Sequence, residues 1–512
     1  MYPKLILAEM FDVAVIGCGP VGAMLALLLS RRGLRVIAID RALEISQQPR
    51  AVYFDGETMR LFQRAGVAES LLTKIQPALG MECVNTQGEV LLRYEAPSRP
   101  DQSGWHSGYY CRQPEVEWVL REELARQPTA RLETGSVVEQ VQACDTGVTL
   151  TVRNAAGEKT IDATFAVGCC GARSLTRRSM GVQLKDLGGD KDWLVVDVLL
   201  RAPIPLPLVT TQYCDPSNPA TFVPLPGVRR RFEFMLHDQQ AADLDVTAFV
   251  KTRLRRWLPE GSYEVERAAV YTFHAVHAVG WRRGPVMLAG DSAHQMPPFL
   301  GQGLCAGLRD AANLEWKLNA VCRGHAADAL LDTYEPERLP HLLAVMADDL
   351  ALGEYIQMTD SVRVAERDAA VRAHGRPYSL TQKIYRIGLD LCAPGDVAGI
   401  PFPQLDEGLA YRLDSVLGEG FALLGSARIS PGVNDRLVRL GLVRIQTVSA
   451  AVQQWLDSHH ATAVLVRPDR LVAALETSPG AIDTVVNGWH TWSLPASTAS
   501  AGTLDKADIL LA

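Results

Sequence analysis

The sequence predicts an α/β chain built on a doubly wound, Rossmann-like dinucleotide-binding unit, and three observations carry that prediction. FDVAVIGCGPVGAMLALLLSRRGLRVIAID, from Phe11, reads as strand, tight glycine turn, helix, glycine stop and second strand ending in an acid. A second strand, loop and helix surround Gly290 in PVMLAGDSAHQMPPFLGQGLCAGLRDAANLEWKL. Between them, runs such as WLVVDVLLRA and RRFEFML alternate with the period of half-buried strands.

Each element of the first unit has a physical reason. Gly17 permits the turn, Gly19 lets the backbone approach a diphosphate, and Gly22 allows close packing of helix on strand. The helix N-terminus supplies unpaired N–H groups and the positive end of a dipole. Asp40 ends the second strand, where it is placed to accept hydrogen bonds from a ribose. This loop alone does not say which dinucleotide binds.

The second loop is read as the answer. Residues 285–289 have the apolar character of a buried strand that delivers Asp291. A proline-rich bend follows, and GQGLCAG then opens a helix whose apolar residues recur at helical spacing. An isoalloxazine ring with its ribityl chain suits that arrangement: Asp291 accepts from a ribityl hydroxyl, and backbone donors near residues 301–303 face the polar ring edge. The cofactor expected from the two loops is therefore one extended, non-covalently held FAD.

Composition narrows the partners. At 512 residues the chain is long enough for about three units, taking roughly 100–200 residues per domain. A formal charge of -7 argues against nucleic acid, whose phosphates need a basic surface. The ten cysteines show no CxxC pair and no metal-ligand spacing, as in a protein of a reducing cytoplasm. The apolar run at residues 23–29 is far shorter than the roughly 20 residues that span a bilayer. Cytoplasmic location, with no membrane partner, is the expectation.

Taken together, the paired loops resemble the class A FAD-dependent aromatic hydroxylases, the para-hydroxybenzoate hydroxylase superfamily, through most of residues 11–345. PRAVYFDGETMRLFQRAGV from Pro49, YCRQPEVEWVLREEL from Tyr110 and RRRFEFML from Arg229 are most similar to 3-(3-hydroxyphenyl)propionate hydroxylase and to polyketide hydroxylases with a C-terminal extension. The resemblance implies FAD diphosphate at Gly17, Gly19 and Gly22, ribose at Asp40, and flavin-side contacts from Arg50 and Gln113. It further implies Asp291 on the ribityl chain and Pro298, Gly301, Gln302 and Gly303 beside the ring. The implied organisation is a discontinuous FAD-binding domain at 1–180 and 270–345, an inserted substrate-covering β-sheet domain at 181–269, a helical connection at 346–395, and a thioredoxin-like C-terminal domain at 396–512.

The implied activity is hydroxylation of a phenolic aromatic substrate with NADPH or NADH and O₂ through a flavin C4a-hydroperoxide, placed with help from the Pro298 backbone. The base for the phenol is unassigned, and a homodimer is compatible with the pattern. Two alternatives stay open: a flavin oxidoreductase without oxygen transfer, and a degenerate flavin-binding interaction protein. One position departs from the family, since GCCGARS carries Cys170 where a carboxylate is usual. Gly171, Arg173 and Ser174 preserve the turn, so Cys170 is expected to be structural, with nicotinamide handling the property in question. His294 is expected to pin backbone rather than act as a base.

Pro394, Gly395, Pro401 and Pro403 punctuate the chain and mark a boundary. Beyond it, FALLGS, ATAVLVRPDR and LVAALE form a small α/β pattern with no cysteine after Cys392, which excludes dithiol chemistry there. A packing or oligomer role is expected for this tail, with Trp489 and Trp492 as packing residues.

Overall fold

The computed structural model describes residues 10–489, apart from residues 49, 145–146, 238–243, 381–382, 384–385, 387–396 and 406–411. Pro49, Cys392, Pro394, Gly395 and Trp492 therefore lie outside the described residues.

The first strand, Phe11–Ile16, sits in the parallel part of a mixed eight-stranded sheet, between Val36–Ile39 on one side and Gly157–Gly168 on the other. Ala130–Glu133 extends the sheet beyond Val36–Ile39, and Val286–Leu288 extends it beyond Gly157–Gly168. Strands covered on both faces read as continuous apolar runs, which is why FDVAVI and VIAI carry little alternation. Helix Pro20–Arg31 is buried along almost its whole length, starts with proline in its first turn and stops before Gly33, whose φ is +76°. The late segment around Gly290 thus returns to the sheet that the first residues begin.

A second eight-stranded sheet runs in the order Tyr263–Phe273, Lys191–Leu200, Arg229–Met235, Ala220–Val223, Thr210–Tyr213, Gly80–Val84, Val90–Glu95 and Tyr378–Ser379. It is not confined to residues 181–269. The hairpin at residues 80–95 pairs in parallel with Thr210–Tyr213 and covers what would otherwise be an open edge. A distant hairpin can do this because sheet pairing is blind to sequence separation. Phe222, Phe232 and Phe234 face helix Val246–Leu254 on one side of this sheet, and the alternate residues face a cavity on the other.

Helices Tyr334–Ile356 and Ser361–His374 follow the dinucleotide unit. The tail forms a four-stranded sheet ordered Val443–Ile445, Ala422–Gly425, Ala463–Val466 and Val472–Leu475, with the first pair parallel and the other two antiparallel. It docks on helix Gly303–Cys322 through Trp316 and Phe421, 5.8 Å apart, and Trp489 packs on Phe421 at 5.5 Å. Two buried ionic clusters also join the tail to the preceding part of the chain. Glu337 accepts from Lys317 Nζ at 2.9 Å and Arg467 Nη2 at 2.8 Å, while Arg60 forks onto Asp414 at 2.8 and 2.7 Å. No helix among the described residues is long and apolar enough to cross a membrane.

Candidate active site

Both glycine loops open into one cavity of about 2230 Å³ that the second sheet closes from the far side. Val21, inside GPVG, joins the loops: a Cβ on Gly290 would lie 3.1 Å from its Cγ2, and one on Gly307 would lie 2.6 Å away. Gly290 has φ +58°, so both conformation and crowding demand glycine there. Gly17, at φ +97°, sits against the carbonyl of Cys169, where a Cβ would come within 2.5 Å of oxygen. A Cβ on Gly22 would collide with the Gly17 carbonyl at 1.9 Å, so its packing partner is the turn itself.

At Gly19 the same test meets nothing within 4 Å, because that position faces the cavity. Helices Pro20–Arg31 and Gly303–Cys322 both begin without a side-chain cap, and both begin at the cavity wall. Unpaired N–H groups at two helix N-termini are suited to negative or polar ligand groups. A diphosphate at one and a polar heterocycle edge at the other fit this donor set.

Asp40 lines the cavity, but much of its capacity is committed. Oδ2 accepts from Cys18 N–H at 2.7 Å and Arg121 Nη2 at 3.2 Å, and Oδ1 accepts from Ala42 N–H at 2.8 Å. Arg121 also pairs with Glu117 at 2.8 Å. Burial pushes Glu117 up to about 7, with Asp40 adding to the rise and Arg121 opposing it. Sequence reading missed this Asp40–Arg121–Glu117 cluster, although Glu117 and Arg121 share a helix face at the i,i+4 spacing.

At the other end, Arg50 Nη1 stands 3.6 Å from Asp291 Oδ2. Asp291 is open to the cavity, yet surrounding protein raises its pKa, with Arg50 and His294 opposing the rise. Gln113 opens helix Gln113–Ala125, and its Oε1 accepts from Ala51 N–H at 3.0 Å, which holds the Arg50 segment in place. Pro298 is exposed in the cavity wall, and its carbonyl already accepts from Gly301 N–H at 3.0 Å. Gly301 has φ +67°, and a Cβ there would meet the Tyr53 ring at 2.8 Å. Gln302 Oε1 accepts from Arg309 Nη1 at 3.2 Å, while Arg309 also binds Asp55 and Glu57. Tyr53 and Arg309 were not legible as site residues because their roles depend on tertiary approach.

His294 lies in a buried chain. Its Nε2 is 2.6 Å from Asp310 Oδ2, which accepts from Gly290 N–H at 3.0 Å, and Arg338 Nε donates to Asp310 Oδ1 at 2.8 Å. Asp310 thus pins the Gly290 turn, and His294 reaches that turn only through Asp310. Cys170 faces the same cavity, with Sγ 3.0 Å from Ser174 Oγ, 3.6 Å from Thr176 Oγ1 and 3.8 Å from Ser292 Oγ. Burial raises the thiol's pKa, but these donors outweigh it and leave a net lowering. The turn here surrounds a thiol with hydroxyls.

On the sheet face, Arg229–Met235 splits its side chains by strand period: Phe232 and Phe234 join the apolar core, while Arg231 and Glu233 line the cavity. None of the three consecutive arginines is simply solvated. Arg231 is 2% exposed and forks onto Asp197 at 2.7 and 2.9 Å, Arg230 donates to the carbonyls of Leu225 and Gly227, and Arg229 pairs with Glu266.

Residues 10–349 match the model of the family described as FAD binding domain. The chain is 34% identical over 495 residues to the "Probable NADH-specific resorcinol 4-hydroxylase" of Rhodococcus jostii (strain RHA1), covering 91% of this chain and 92% of that protein. It is 33% identical over 512 residues to the 3-(3-hydroxy-phenyl)propionate/3-hydroxycinnamic acid hydroxylase of Mycobacterium sp. (strain JLS), covering 90% of this chain and 88% of that protein. Its fold is similar to that of aklavinone-11 hydroxylase, solved with FAD and aklavinone, with a TM-score of 0.75 and 23% identity over 94% of this chain and 99% of that one.

Proposed function

The chain belongs to the FAD binding domain family, and from that premise we propose that it hydroxylates a phenolic ring, with reducing equivalents from NADH or NADPH and one atom of O₂. The observation that carries this reading is the convergence of both glycine loops, through Val21, Gly290 and Gly307, on one cavity that a second sheet closes.

FAD, when bound, supplies the redox chemistry that activates dioxygen for transfer to the ring. Gly17, Gly19 and Gly22 with the first helix N-terminus would hold its diphosphate, and Asp40 would flank the ribose. Arg50, Gln113 and Asp291 would hold the flavin side, with Pro298, Gly301, Gln302 and Gly303 forming the wall beside the ring. Burial within the cavity lets these residues orient both partners and exclude bulk water, which protects reactive oxygen chemistry from side reactions.

The segments around residues 181–269 are read as a substrate-covering domain inserted in the FAD-binding domain at 1–180 and 270–345, and the 346–395 helical connection is read as joining that FAD-binding domain to the tail. The tail at 396–512 is read as a thioredoxin-like appendage that packs rather than reacts. Cytoplasmic location and a homodimer complete the reading. Rapid-mixing reduction without oxygen tests it: a phenol should accelerate flavin reduction by NADH. Equal rates with and without phenols across a broad panel, with no hydroxylated product in air, would reject it.

A further inference from the structure

Glu233 stands in the middle of the cavity-facing side of the second sheet, opposite Val195 on one neighbouring strand and Thr221 on the other. Its own strand places Arg231 two residues before it on the same face. That arginine has little left to offer a ligand: Nε and Nη2 fork onto Asp197, and Nη1 donates to the Arg50 carbonyl at 3.0 Å. It reaches Glu233 only as a 3.7 Å ion pair. Among the described residues, no hydrogen bond reaches the Glu233 carboxylate, although the residue is only 7% exposed. The carboxylate lines the cavity, and that is the direction from which a hydrogen-bond donor can arrive.

Two further cations lining the cavity are paired. His274 Nδ1 lies 2.9 Å from Asp190, and Lys383 Nζ lies 2.7 Å from Asp348. Arg267, on the strand beyond Lys191–Leu200, holds its guanidinium over the Tyr271 ring at 5.1 Å. Thr221, cross-strand from Glu233, donates its hydroxyl to Gln212 Oε1 at 2.5 Å.

We propose that Glu233 is a specificity-determining residue, which accepts a hydrogen bond from a ring hydroxyl of an uncharged phenol and disfavours phenols that carry a carboxylate side chain. This inference rests on the hydroxylase reading above. Its physical basis is asymmetric: a hydroxyl donor satisfies the enclosed acid, whereas a second carboxylate brings like charge to a face whose arginine is already forked. Burial raises the pKa of Glu233, with Arg231 opposing and Asp197 reinforcing the rise, as for an acid that exchanges water for a ligand donor.

The test uses the FAD-loaded full chain and two probes, resorcinol and 3-(3-hydroxyphenyl)propionate, titrated against the flavin absorbance. The native protein should bind resorcinol at least about tenfold more tightly. Glu233→Gln should weaken resorcinol about tenfold, the scale of one charge-assisted hydrogen bond, and narrow the discrimination. Glu233→Asp, which keeps the charge but shortens the reach, should weaken resorcinol while still disfavouring the carboxylated probe, and it supplies the reading if the glutamine variant loses FAD. Equal or tighter binding of the carboxylated probe by the native protein overturns the proposal, as do unchanged affinities in a glutamine variant that retains FAD. Selective binding with no hydroxylated product would instead overturn the hydroxylase reading and leave the role of Glu233 standing.

Discussion

Arg50 and Asp291, far apart in sequence, face each other at 3.6 Å across the mouth of the cofactor cavity. The aspartate sits on the Gly290 turn that His294 and Asp310 brace from behind. Asp291→Ala removes an acceptor and leaves Arg50 without that partner. FAD binding, followed by fluorescence as the free cofactor appears, should weaken by about tenfold or more. Unchanged affinity would show that the ribityl assignment is wrong.

Gln113 acts on the same segment indirectly, through its bond to Ala51 N–H. Gln113→Ala should cost about 1 kcal/mol of local order and raise the FAD dissociation constant several-fold, whereas Gln113→Glu, which keeps an acceptor oxygen, should restore most of it. Equilibrium titration of the apoprotein with FAD reads both variants.

The two glycine loops were legible because their chemistry is local: strand, turn, glycine spacing and helix start all lie within a short window. Their meeting through Val21 was not, since a valine between two glycines carries no signal of what it touches. The second sheet was legible as a run of strands, yet the hairpin at residues 80–95 belongs to it only through tertiary pairing. RRRFEFM did hold a readable signal, charges alternating with aromatics, which marks a strand with one apolar and one polar buried face. The ribose role of Asp40 came from position alone, and the structure adds Arg121 and two backbone donors that compete for its oxygens.

Cys170 makes its contacts as an acceptor for, or partner of, three hydroxyls. Cys170→Ser should keep FAD binding and most turnover, since serine can share the same partners. Cys170→Asp should also be accepted, because the surrounding donors suit a carboxylate. Steady-state NADH oxidation, with the flavin content of each variant measured alongside, checks both. Complete loss of turnover in a serine variant that still holds FAD would assign the thiol a chemical role.

The tail should leave the rest of the chain in acid. Burial alone would raise the pKa of Glu337, but Arg467 and Lys317 outweigh it and hold the pKa down to about 2 from an ordinary 4.5. Burial is likewise outweighed at Asp414, held to about 2 from 3.8 by Arg60 and Arg470. A lowered acid pKa contributes stability that is complete above the unfolded value and is lost as pH falls through the folded one. Tryptophan fluorescence of the Trp316 and Trp489 cluster should therefore report loosening as pH drops from about 4.5 towards about 2. Glu337→Gln should destabilise the protein by about 3–5 kcal/mol at neutral pH, because Lys317 and Arg467 would remain buried without their charge partner.

The most direct measurement of the central claim is product mass after turnover of the FAD-loaded protein with NADH and a phenol under isotopically labelled dioxygen. One labelled oxygen atom on the ring, with NADH consumption that depends on the phenol, is the predicted result. NADH consumption that ends only in hydrogen peroxide, with no label in any ring across a broad panel of phenols, would contradict it.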